Sequence, residues 1–108
     1  MEINKNIMST EIAIKTTNIE EVNPRVLQFQ FNAEWTMDNT TVIIDHLLQQ
    51  TSATVLESIQ GADVYCVRIR YGVSEFLLNF EEYSHSCWLE CATAQDTLGL
   101  KEIKHALS

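Results

Sequence analysis

Between Glu81 and Cys91 the chain reads EEYSHSCWLEC. His85, Cys87, Cys91 and the carboxylates of Glu81, Glu82 and Glu90 share this short stretch. Such residues suggest a metal held by thiolate and imidazole, or a cysteine nucleophile with a histidine base. Spacing argues against the metal. On a strand, Cys87 and Cys91 share a face but lie ~13 Å apart at ~3.3 Å per residue, whereas thiolates hold zinc at ~2.3 Å. The same separation excludes a disulfide between them, which needs Cα atoms within about 7 Å. His85 and Cys87 are closer, about 6.6 Å apart along one face. Yet Cys87 would point into an apolar layer beside three carboxylates, and both features disfavour a thiolate. Cys87 therefore reads as a small apolar side chain. Glu82, His85 and Cys87 remain the groups a small enzyme or ligand-binding domain would use, with an acid from Glu34, Glu81 or Glu82. No metal and no cofactor is expected.

The extended reading of this stretch rests on the segment before it, VYCVRIRYGVSEFLLNF. Gly72-Val73 suits a two-residue hairpin loop, because a type II′ turn places Gly first. Tyr71 then faces Ser74, Arg70 faces Glu75, Ile69 faces Phe76, Val67 faces Leu78 and Tyr65 faces Phe80. Apolar residues meet apolar residues and a cation meets an anion, which a one-residue slip would destroy. With Tyr83-Ser84 as the next turn, Glu82 faces His85, Phe80 faces Cys87, Leu78 faces Leu89 and Phe76 faces Cys91. The apolar face so continues onto a further strand. The opposite face holds Trp88, Leu77, Arg68, Arg70 and Glu90. A Trp and a Leu on an otherwise polar face make it the candidate interaction face, to be covered by a protein partner, by a second copy, or by residues 1–24 of the same chain.

Other elements position this sheet. RVLQFQFNAEW alternates Leu27, Phe29 and Phe31 against Gln28, Gln30 and Asn32, a half-buried strand. TMDNTTVIIDHLLQQTSA predicts a helix ending near Thr51, started by Thr36 or Asp38, with Val42, Ile43, Ile44, Leu47 and Leu48 as its apolar stripe and His46 beside it. TVLESI is a short strand and QGAD a turn. ATAQDTLGLKEIKHALS predicts a terminal helix with Thr93 and Asp96 as a capping box and Leu100, Ile103 and Leu107 on its inner face. Residues 1–24 form a polar segment in which Ile12, Ile14 and Thr16 suggest one edge strand and NIEEVNP a connection. Met8 is a second candidate start, leaving 1–7 as a tail.

With 108 residues, 45% of them hydrophobic, the chain can build one core, over residues 25–108. Its net charge of −8 would repel nucleic-acid phosphates, so nucleic acid is not an expected partner. No apolar run is long enough to span a membrane, and the amino terminus lacks the pattern of a secretory leader. Three cysteines without framework spacing fit reduced thiols, and the expected setting is the cytoplasm.

The run NFEEYSHSCWLE, after a strand–helix–strand arrangement, is similar to a family of short uncharacterised bacterial proteins, a domain of unknown function. Its pieces here are Glu82, Tyr83, Ser84, Trp88 and Glu90, with Glu34-Trp35 ahead of the first helix, across roughly residues 26–107. The resemblance implies a fold and a bacterial cytoplasmic setting, and no catalytic residues. The expected fold is α+β: an antiparallel sheet of five or six strands, the last three a meander, with two helices on one face. The expected role is a protein-interaction module, chaperone-like or inhibitor-like in its binding.

Overall fold

The computed structural model describes residues 13–108. Six strands, β1 (Thr16–Asn23), β2 (Val26–Phe31), β3 (Thr54–Gln60), β4 (Val64–Tyr71), β5 (Ser74–Glu81) and β6 (Ser86–Cys91), form one sheet. Their order is β1-β2-β6-β5-β4-β3, and every neighbouring pair is antiparallel. Helix α1 (Thr40–Thr51) connects β2 to β3, and α2 (Thr97–Leu107) ends the chain after a short 3-10 turn. The fold is α+β. The meander holds four consecutive strands, β3 to β6, one more than expected, because TVLESI pairs back across the QGAD turn.

The registers around β5 are those that the turns dictate. Tyr71 faces Ser74, Arg70 faces Glu75 and Tyr65 faces Phe80; across the next turn Phe80 faces Cys87, Leu78 faces Leu89 and Phe76 faces Cys91. Gly72 has φ +61° while Val73 does not enter the positive region, as a type II′ turn requires. Glu82 and His85 do not pair as ladder residues. Instead the His85 N–H donates to the Glu82 carbonyl at 3.1 Å, closing a turn in which His85 is left-handed with φ 54°.

One face of the sheet is apolar because the strands alternate. Leu27, Phe29, Val67, Ile69, Phe76, Leu78, Phe80, Cys87, Leu89 and Cys91 are all buried on it. Ile43, Ile44 and Leu47 of α1 and Leu100 and Ile103 of α2 cover them, so both helices lie on this face. Gly99 lets α2 come close. A Cβ there would stand 2.7 Å from Ser74 Oγ and 2.9 Å from Ser74 Cβ.

Three expectations need correction. The edge strand lies at Thr16–Asn23, not around Ile14; its partner is β2, and the Pro24-Arg25 turn fixes the pairing from Asn23 and Val26 backwards. NIEEVNP is therefore mostly strand, its alternation hidden by register shifts at Thr16/Asn18 and Glu21/Asn23. Ile12 and Met8 lie outside the described residues. Neither Thr36 nor Asp38 starts α1: Asn39 occupies the N-cap position, and its Oδ1 accepts from the Thr36 N–H at 2.6 Å in the preceding turn. Val42 is not part of the buried stripe; it is 48% exposed, one position round the helix from Ile43. The expected capping box is present, but it caps the 3-10 turn Ala94–Asp96, and α2 follows from Thr97 with Asp96 at its N-cap. Thr93 and Asp96 form the capping box, with Asp96 Oδ2 accepting from the Thr93 N–H at 2.9 Å.

Candidate interaction face

The opposite face of the sheet carries two rows of side chains that the pairing lines up. Gln28, Trp88, Asn79, Cys66 and Ile59 form one row across β2, β6, β5, β4 and β3. Val26, Glu90, Leu77, Arg68 and Glu57 form the next. Trp88, Leu77, Arg68 and Glu90 therefore stand together, and Arg70 lies on the same face one row further along β4. None of the five is fully buried. The part of residues 1–24 that the structure describes does not lie over them: β1 is at the sheet edge, hydrogen-bonded to β2.

Polar contacts fix this face. The Trp88 indole N–H donates to Glu90 Oε1 at 3.1 Å, and Asn79 Nδ2 donates to the same oxygen at 3.0 Å. Arg68 bridges three strands, reaching Glu57 Oε1 at 2.8 Å and Glu75 Oε1 at 2.7 Å. Arg70 reaches Glu75 Oε2 at 3.5 Å. The glutamates hold the Arg68 guanidinium above its usual range, chiefly by accepting its hydrogen bonds at Glu57 and Glu75. Beside Trp88 an open groove of about 270 Å³ runs between Val22, Val26 and Gln28 on one side and Glu81, Ser84 and Ser86 on the other. The Ser84 hydroxyl donates to Glu81 and lies 2.8 Å from that of Ser86.

The groups of the enzyme alternative are drawn apart. Cys87 is 1% exposed in the core, and burial pushes its thiol far up. His85 turns to Trp35 instead. Its ring stacks on the indole at 4.2 Å and 14°, and Nε2 lies 2.8 Å from the Trp35 carbonyl. Since a carbonyl only accepts, Nε2 carries the proton and Nδ1 keeps the lone pair in the neutral ring. Trp35 itself is buried and meets Phe80 edge-on at 5.3 Å. A depression of about 340 Å³ opens there, lined by Thr17, Gln30, Asn32, Glu34, Trp35 and His85 among others. Glu34 is at this depression, Glu82 is exposed in the turn, and Glu81 is engaged with Ser84. Cys66, Cys87 and Cys91 are all free thiols. Among the described residues no three His, Cys, Asp or Glu converge as a metal site would require.

Sequence reasoning missed Glu57 and Ile59 on this face and the pairing of Trp35 with His85. The first two were reachable: a two-residue turn at Ala62-Asp63 sets Gly61 against Val64 and Gln60 against Tyr65, and counting on gives Ile59 with Cys66. Two further steps put Glu57 opposite Arg68, before the bulge at Val55/Glu57 shifts the pairing of Val55. The His85–Trp35 contact joins residues fifty apart with no local pattern to announce it.

A six-stranded antiparallel sheet with two helices on one face and a polar, Trp-bearing face opposite defines an α+β protein. The chain belongs to the family described as Protein of unknown function (DUF3630), which it matches over residues 17–105. That match begins earlier than residue 26 and takes in nearly all of β1. No curated protein and no solved structure matches the chain. Among the described residues no helix is long and apolar enough to cross a membrane.

Proposed function

We propose that this protein is a cytoplasmic protein-interaction module that binds a basic protein surface through the open face of its sheet. The observation that carries this is Trp88: a half-buried indole, oriented by its bond to Glu90, beside a groove on the face that neither described helix covers. Aromatic side chains held in place and partly desolvated are the usual anchors of protein interfaces. The charge points to the partner. Glu57, Glu75, Glu81 and Glu90 share this face with Arg68 and Arg70, in a chain of net charge −8. The same charge argues against nucleic acid. The test is paired affinity capture from the native host with wild type and Trp88→Ala, followed by binding of the purified species. A basic partner should be lost from the variant, with ~2 kcal/mol or more of binding removed, and should weaken with salt. Equal capture by both proteins would refute the reading.

Small-ligand binding is a second reading, favoured by the depression at His85 and Trp35. Its volume falls within the range of ~300–1,000 Å³ common for ligand sites. His85 lines it, and in the neutral ring its Nδ1 is the nitrogen that can accept. A screen read by the ¹⁵N shifts of His85 tests it, and unchanged shifts across the screen would remove it.

A further inference from the structure

The two edges of the sheet differ in kind. β1 is guarded: it carries two register shifts and the carboxylates of Glu20 and Glu21, and Pro24 follows its last residue. Bulges, charges and Pro are the devices that keep an edge from pairing with another strand. β3 has one bulge, no Lys and no Pro, and every residue of it except Leu56 is exposed. Ile59 is 54% exposed on it and Val55 is 45% exposed.

Among the described residues no strand pairs with the outer side of β3, and the backbone there has a defined register. The Gly61 N–H donates to the Val64 carbonyl at 2.8 Å. In an antiparallel ladder such bonds alternate, so Ile59 also turns its backbone towards β4, while Ser58 and Gln60 direct theirs outward. We propose that β3 pairs antiparallel with β3 of a second copy, centred on Ile59, to make one continuous sheet. In that register Ser58 exchanges hydrogen bonds with Gln60 of the second copy, and Ile59 faces Ile59. Glu57 faces Gly61 and so escapes its own image. The strand is therefore self-complementary, as a two-fold interface must be. Charge favours a second copy over a basic partner at this edge. Residues 54–71 hold Glu57 and Asp63 against Arg68 and Arg70 and are neutral, so the whole net charge of −8 lies elsewhere. Two acidic chains can meet here without opposing their charge. This inference does not rest on the open-face reading, and Trp88→Ala leaves it untouched.

So short a pairing buries less than the ~1,200 Å² of a standard interface, so association is weak. Sedimentation of the full chain from about 1 µM to about 1 mM should move from one chain to two, at lower concentration in higher salt. Amide exchange at Ser58 and Gln60 should slow about tenfold or more in the dimer while exposed turns stay fast. Ile59→Lys, which sets like charges opposite each other, should raise Kd about tenfold or more with the urea midpoint unchanged. Ile59→Cys in a Cys66→Ser background should give a disulfide-linked dimer under mild oxidation, because the Cα atoms would face each other at about 4.5 Å. The second change is needed since Cys66 is the neighbour of Ile59 on β4. A single-chain mass across the whole range overturns the proposal and leaves this edge to a strand of another protein. So do Ser58 and Gln60 amides whose exchange ignores concentration, and an Ile59→Cys chain that never links.

Discussion

Leu77 and Leu78 are chain neighbours on β5 and belong to two different environments. Leu78 is wholly buried between the sheet and the helices; Leu77 lies between Arg68 and Glu90 on the open face. The period of two in a strand makes this inevitable. The contrast shows where the molecule's stability resides and where its surface is free to serve binding. One face is filled by the chain's own helices. The other is tied down by hydrogen bonds and ion pairs that cost little to keep and little to lose.

The comparison breaks most readily at Leu78. Leu78→Ala removes a side chain with no exposure and should cost roughly 2–5 kcal/mol, including the cavity it leaves. Leu77→Ala should cost under about 1 kcal/mol by the same urea unfolding. Similar losses at the two positions would mean that something covers the open face.

Gly99 tests how tightly the covered face is closed. Replacing Gly by Ala inside a helix normally stabilises by about 1 kcal/mol. Here the added methyl would stand 2.9 Å from Ser74 Cβ, an atom fixed to the β5 backbone, and 3.1 Å from the Phe76 ring. Overpacking of that kind costs ~1–3 kcal/mol, so Gly99→Ala should destabilise by a net amount of up to about 2 kcal/mol. A rise in the urea midpoint would show that α2 is free to lift away.

Much of this division was legible in the sequence, and the reasons differ by region. Two short turns, Gly72-Val73 and Tyr83-Ser84, fix the registers of β4, β5 and β6, and apolar alternation names the buried side. Trp88, Leu77, Arg68, Arg70 and Glu90 share a face for that reason alone. β1 was misplaced because its bulges interrupt the alternation and because one strand at an edge has little need to bury side chains. The start of α1 was misplaced because Thr36, Asp38 and Asn39 are all good capping types, and their local bonds form a turn before the helix. The stack of His85 on Trp35 is a long-range contact between two loops, beyond any periodicity.

The thiols give a graded contrast between the faces. Burial raises Cys87 and Cys91; burial, then Glu90 and Glu57, raises Cys66. An acid whose folded value lies above its unfolded one favours the folded state below the unfolded value and loses that stability as pH rises towards the folded one. With unfolded thiols near ~8.5, the urea midpoint should begin to fall above that pH. In native alkylation Cys66, half-buried on the open face, should react before Cys87 and Cys91. Early labelling of Cys87 would contradict the buried assignment.

The smallest effect belongs to Arg70, and it sharpens what the open face is. Its side chain is 53% exposed and its guanidinium reaches Glu75 at 3.5 Å, where solvent screens the pair. Exposed pairs of this kind contribute ~0.2–1 kcal/mol, so Arg70→Ala should leave the urea midpoint almost unchanged. Arg68 sits at 2.7–2.8 Å from carboxylates on both neighbouring strands, and Glu75 keeps that closer partner when Arg70 is removed. Arg68→Ala should therefore have the larger effect of the two, because it leaves Glu57 without its cation and Glu75 with only the longer contact. Its consequence should appear first at β3, as faster amide exchange along the edge strand that Arg68 ties to the sheet. If Arg70→Ala instead proved the more damaging, the ion pairs would be arranged differently from the register of β3, β4 and β5. The open face would then owe its shape to something beyond the strands that form it.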